Sequence, residues 1–171
     1  MNPVDRTGNS YCGPLVLAGV LNISTGEAAK KIREVRIASD QGPVKSVWVV
    51  EIQRVLQRAG IRTIVVWPDP KPTFARWLRQ RNRDAVNAMH IVLLTRHYVL
   101  VKGRKMTDTR TGGEWVFTGK APHRRRRVQC YIQILPTQLS RPAPRAASPY
   151  LDCRPQARRS DPPPSQPVPP P

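Results

Sequence analysis

An α+β fold is predicted by three features of this 171-residue chain. Up to about residue 59, apolar side chains recur at helical spacing. Between residues 89 and 135 they gather in compact, β-branched runs separated by short turns. Beyond Pro136 neither pattern survives. Helices followed by an antiparallel sheet, and not alternating with it, give the order of an α+β chain.

The first helix is expected at Cys12-Gly13-Pro14, because proline suits a first turn, where its missing N–H would have had no intrahelical partner. Leu15, Val16, Leu17, Val20 and Leu21 carry it into a core. Ser24 and Glu27 have capping-box spacing and open a second helix through Ala28, Ala29, Ile32 and Val35. After a loop at 39–43, a third helix is expected from about Val44 to Ala59. Its stripe is Val47, Val50, Ile52, Val55 and Leu56, and Gly60 is its C-cap. Residues 61–67 read as a strand ended by Pro68-Asp69-Pro70. From Pro72 to about Arg81 a basic helix turns Phe74, Trp77 and Leu78 inward.

The second half reads as sheet. Runs at 89–95 and 97–101 are strands, and 102–105 is a turn into Met106-Thr107-Asp108-Thr109. Residues 111–113 turn into 114–117, and 128–135 is the last strand. The expected organisation is a folded domain over 1–137 and a disordered Pro/Arg-rich tail over 138–171, too poor in apolar residues to form a core.

Charge and cysteine content narrow the function. The net charge is +18, from 29 Lys+Arg against 11 Asp+Glu. The tail holds five of the arginines and two of the aspartates, which leaves +15 on the folded part. Such a surface attracts polyanions, and Arg76, Arg79, Arg124, Arg125, Arg126 and Arg127 are its strongest features. Trp67, Trp77 and Trp115 could stack bases beside them, although their apolar neighbours favour core packing. Three cysteines without a CxxC pair make a poor disulfide framework and point to a reducing, cytoplasmic setting. Apolar runs fall well short of the roughly 18 residues of a membrane span, so no membrane role is expected.

Cys12 is the residue whose position suggests chemistry. At a helix N-terminus the dipole favours a thiolate, the nucleophilic form of cysteine. A base must then come from three histidines. His90 has no acidic residue near it in sequence, and His123 precedes four arginines that disfavour an imidazolium. His97 is different, because its hairpin partner strand contains Asp108. With Gly103-Arg104 as the turn centre, Lys102 faces Lys105 and Val99 faces Asp108. His97 and Asp108 then become diagonal neighbours on one face, about 7–8 Å apart at the backbone, within reach of these side chains. A three-residue turn would reverse that parity. An aspartate that orients a histidine that activates a cysteine is the arrangement of acyl transfer. Cys130 and Cys153 are expected to be structural or incidental, and the cysteines and histidines lack zinc-ligand spacing.

Together, Asn9-Ser10-Tyr11-Cys12-Gly13-Pro14, His97-Tyr98-Val99-Leu100-Val101 about 85 residues on, and Met106-Thr107-Asp108-Thr109 resemble the papain-like cysteine peptidases. The most similar branch is the C39-like peptidases, with their small bacterial and phage homologues, over roughly residues 6 to 135. The resemblance implies a helical lobe carrying the cysteine and an antiparallel sheet lobe carrying histidine and aspartate. It also implies Cys12 as nucleophile, His97 as base and then acid, Asp108 as orienting residue, a protein or peptide substrate and no cofactor. In those families a glutamine six residues before the cysteine completes the oxyanion hole, and here that position is Arg6. The Asn9 amide, with the Cys12 N–H, is the replacement donor expected. The competing reading is a non-catalytic basic module that binds nucleic acid or a partner protein.

Overall fold

The computed structural model describes residues 1–8, 11–36, 44–81 and 88–136. The chain divides into one unit, Met1–Thr137, and another, Gln138–Pro171. The second unit lies outside the described residues, and with it the expected tail and Cys153.

The first unit is mixed helix and sheet. Helices α1 (Cys12–Leu21), α2 (Thr25–Val35) and α3 (Val49–Arg58) are followed by strand β1 (Thr63–Val66) and helix α4 (Phe74–Gln80). Five strands complete it: β2 (Met89–Leu94), β3 (His97–Lys102), β4 (Lys105–Thr107), β5 (Val116–Phe117) and β6 (Val128–Ile134). They form one open, antiparallel sheet in the order β1-β6-β2-β3-β4-β5.

The sheet buries both faces because its strands are apolar on alternate residues in both senses. Ile91, Tyr98, Leu100 and Ile132 pack with α1, α2 and α3, whose contributions include Leu15, Val16, Ile32 and Leu56. Val92, Leu94, Val99, Val101 and Val128 point the other way, onto Phe74 and Trp77 of α4. This explains why 89–101 reads as continuous apolar sequence with no polar face.

Local signals account for the helix ends. The Ser24 hydroxyl accepts the Glu27 N–H at 3.1 Å while Glu27 accepts the Ser24 N–H at 3.0 Å, a reciprocal box. Helix α3 starts at Val49, five residues later than the periodicity suggests. Glu51 fixes that start, because its carboxylate accepts the Trp48 N–H at 2.8 Å and the Arg36 Nε–H at 2.8 Å. Val50, expected inward, is exposed, and Glu51 is buried in its place. Trp67 is also exposed, which corrects the expected core role, whereas Trp77 is buried.

Helix α1 sits tightly on segment 44–48. A Cβ added at Gly13 would lie 2.3 Å from Val47 Cγ2 and 2.8 Å from Val47 Cβ. No rotamer change of a β-branched side chain moves its own Cβ, so backbone must shift. Gly13→Ala gains up to about 1 kcal/mol of helix propensity and loses about 1–3 kcal/mol to overpacking. We expect net destabilisation in urea titrations, and a variant as stable as the parent would contradict this packing.

Candidate thiol site

Cys12 is the first residue of α1, and Tyr11 before it is extended and supplies no side-chain cap. The first-turn N–H groups therefore keep their partial positive charge close to the thiol. Cys12 is half-buried. Burial raises its pKa, but hydrogen bonds from His97 and from the Tyr98 N–H, with the charge on His97, bring the thiol below its ordinary value.

His97 opens β3 directly after the Thr95-Arg96 turn, where Arg96 takes the left-handed conformation at φ 57°. Across the next turn Lys102 faces Lys105 and Leu100 faces Thr107, the register of a two-residue loop. Asp108 follows the last ladder pair, and its Oδ2 lies 2.9 Å from His97 Nε2. With Nε2 engaged there, Nδ1 is the ring nitrogen left for Cys12. Burial disfavours the imidazolium, but the hydrogen bonds to Asp108 and Cys12, and the charges on both, raise His97 to about 9.

Asp108 is fully buried. Its Oδ1 accepts the N–H groups of Arg110 and Thr111, each at 2.9 Å. These bonds and the one from His97 outweigh the burial that would raise it, and its pKa is lowered. The local turn thus orients the carboxylate before the histidine uses it.

Residue by residue, Cys12, His97 and Asp108 are brought together. Asn9 lies outside the described residues. The stem of Arg6 runs along the Gly112-Gly113 turn that follows Asp108. Arg76, Arg79, Arg124, Arg125 and Arg127 are exposed and Arg126 is half-buried. The start of α4 docks on the arginine loop, where Phe74 N–H donates to Arg126 O at 2.8 Å and Ala75 N–H to Arg124 O at 3.0 Å. Trp77 and Trp115 belong to the cores on the two faces. No helix among the described residues is long and apolar enough to cross a membrane.

His123, set aside on charge grounds in sequence, is at the site. It takes the left-handed conformation at φ 66° and turns its ring inward. The ring lies 4.6 Å from that of His97, with Nε2 3.3 Å from Asp108 Oδ2. The neighbouring guanidinium groups lead elsewhere, Arg124 to Gly119 O, Arg126 to Thr95 O and Arg127 to Lys71 O. Burial, with the positive charge of His97, lowers the His123 pKa. A proline and a basic run give no hint of this placement. His90 lies elsewhere, between Trp77 and Tyr131, and burial together with Arg81 lowers it to about 4. It lines a separate cavity of about 510 Å³.

The opposite shifts of Cys12 and His97 predict a characteristic pH dependence of stability. A raised histidine contributes stability that is complete below pH 6.5 and lost as pH rises toward about 9. A lowered cysteine contributes stability that is complete above its ordinary value of 9.0 and lost as pH falls through its lowered one. Between about 6.5 and 9 the two trends oppose each other. Denaturation midpoints should therefore fall less steeply with pH in that window for the parent than for Cys12→Ala. A parent profile as steep as that of Cys12→Ala would contradict the paired state.

No family model matches the chain, and a search of curated proteins finds no match.

Proposed function

We propose that the chain is a papain-like thiol hydrolase, related to the C39-like peptidases, acting on a peptide or isopeptide bond through Cys12, His97 and Asp108. The observation that carries this reading is the two-sided engagement of His97. One ring nitrogen is 2.9 Å from a buried carboxylate and the other is left for a thiol at a helix N-terminus. A nucleophile helix packed against an antiparallel sheet that bears histidine and aspartate supports the papain-like arrangement.

In this mechanism the Cys12 thiolate attacks the carbonyl carbon and a C–S bond forms. The Cys12 N–H faces the developing oxyanion. The C–N bond breaks as His97 Nδ1 gives its proton to the departing amine, leaving a thioester. His97 then takes a proton from water, whose oxygen attacks the thioester carbon. The C–S bond breaks, releasing a carboxylic acid and restoring the thiolate beside protonated His97. Asp108 holds the ring orientation and stabilises the imidazolium throughout. An amine or thiol acceptor in place of water would make the same centre an acyl transferase. The test is the pH dependence of Cys12 alkylation in parent and His97→Ala protein. Reactivity well below the pH of an ordinary thiol, lost in the variant, supports the reading.

A second reading rests on the docking of α4 against the arginine loop. It gathers Arg76 and Arg124 to Arg127 on one surface, suited to the phosphates of a nucleic acid or to an acidic partner protein. Among the described residues, Arg36 with Glu51 is the one arginine–carboxylate ion pair, so this charge is not neutralised internally. Ordinary Cys12 reactivity, unchanged in His97→Ala, would favour this reading over the hydrolase.

A further inference from the structure

We propose that His97, Asp108 and His123 form a binding site for a divalent transition-metal ion of zinc type. The inference stands whether or not the thiol chemistry holds, because it uses the edge of His97 that faces away from Cys12.

The starting point is a mismatch in hydrogen bonding. His123 Nε2 has no hydrogen-bond partner, and its side chain is 3% exposed. It lies 3.3 Å from Asp108 Oδ2, the oxygen that His97 Nε2 already approaches at 2.9 Å. A buried polar atom left in this way keeps the full penalty of its lost hydration. Two imidazoles converging on one carboxylate oxygen satisfy a cation better than they satisfy each other.

The spacing suits that cation. The three ligand atoms all lie within 4.8 Å of one another. Tetrahedral zinc, with bonds of about 2.0–2.1 Å, separates its ligand atoms by about 3.3 Å. The His123–Asp108 separation is already 3.3 Å, and the His97–Asp108 separation of 2.9 Å has to open by a few tenths of an ångström. Two imidazole nitrogens and one carboxylate leave a fourth position for water or an anion.

The surroundings select among metals. The positive charges of Arg110 and Arg126 act on His123, and so on any cation beside it. A hard ion such as Mg²⁺ or Ca²⁺, which depends on several oxygen ligands, finds one carboxylate in this set and net repulsion around it. An ion that bonds strongly to imidazole, such as Zn²⁺, tolerates this setting. On binding, the metal takes the Nε2 lone pair of His97, and the proton shared there with Asp108 leaves to solvent. Nδ1 then keeps its own proton and has no lone pair to accept one from the Cys12 thiol. The metal-bound form therefore lacks the base of the thiol centre.

The test is calorimetric titration of Zn²⁺ into the full chain carrying Cys153→Ser, which removes the tail thiol. One equivalent should bind, with no comparable uptake of Mg²⁺. His123→Ala and His123→Gln should weaken binding by about tenfold or more, and Cys12→Ser should change it less than threefold. No zinc uptake, unchanged affinity in both His123 variants, or a loss in Cys12→Ser equal to that in His123→Ala would overturn the proposal. Co²⁺ added to the otherwise native protein gives a reading independent of how the variants fold. Ligand-field bands without a sulfur-to-cobalt charge-transfer band are expected, and appearance of that band would overturn the nitrogen–oxygen ligand set.

Discussion

Replacing His97 by alanine should slow alkylation of Cys12 at pH 6.5 by about 10- to 100-fold. The upper bound comes from ionisation. An ordinary thiol with a pKa near 8.5 is about 1% thiolate at pH 6.5, so a fully formed thiolate gains about 100-fold. The lower bound reflects nucleophilicity, since a thiolate loses attacking power as its pKa falls, about tenfold for two units. The α1 N-terminus and the Tyr98 N–H both remain in the variant, so some reactivity above that of a free thiol should persist. Mass spectrometry locates the label. Cys130, fully buried and raised by burial to about 11, should stay unlabelled in both proteins and serves as the internal reference. Equal rates in parent and variant would mean that His97 does not activate the thiol.

Much of this geometry was legible in the sequence because it is local. Pro14 after Cys12 limits where a helix can begin, and the start of α1 at Cys12 follows. The pairing of Lys102 with Lys105 follows from two turn residues, and this parity puts His97 and Asp108 on one face. What escaped the sequence depends on contacts between distant segments. The late start of α3 is set by Glu51, whose carboxylate binds both its own helix N-terminus and Arg36 from the end of α2. Periodicity registers Val50 as apolar but cannot see that Glu51, held in a partly buried ion pair with Arg36, takes the inward position beside it. Trp67 lies next to the end of β1, which among the described residues is an edge strand with no further strand to cover it. His123 was misjudged because its four arginine neighbours were counted as a field around the ring. Three of them, Arg124, Arg126 and Arg127, turn their side chains to backbone carbonyls, and although the Arg126 charge does act against the imidazolium, a left-handed backbone turns the ring toward Asp108.

Asp108 should be the residue least tolerant of substitution, because each of its partners is a donor or can act as one. Its Oδ1 accepts two backbone N–H groups, and its Oδ2 faces the two histidine rings. Only an ionised carboxylate accepts on both oxygens. Asp108→Ala leaves two N–H groups and the buried His97 Nε2 without their acceptor, and removing a buried charged partner costs about 3–5 kcal/mol. We expect a loss of that size in urea titrations. Asp108→Asn separates stability from chemistry, since the amide fits the space but cannot accept on both sides. With its oxygen toward Arg110 and Thr111, its NH₂ donates to His97 Nε2 and forces the ring proton onto Nδ1. That tautomer has no lone pair for the Cys12 proton. Turned around, the NH₂ meets two N–H donors, and the fold rather than the tautomer suffers. The first orientation removes one poor contact and the second creates two, so the tautomer-inverting one is preferred. Asp108→Asn should therefore denature closer to the parent than Asp108→Ala, yet lose the low-pH alkylation of Cys12 to nearly the extent of His97→Ala. Full low-pH reactivity in Asp108→Asn would show that His97 holds its working tautomer without the carboxylate.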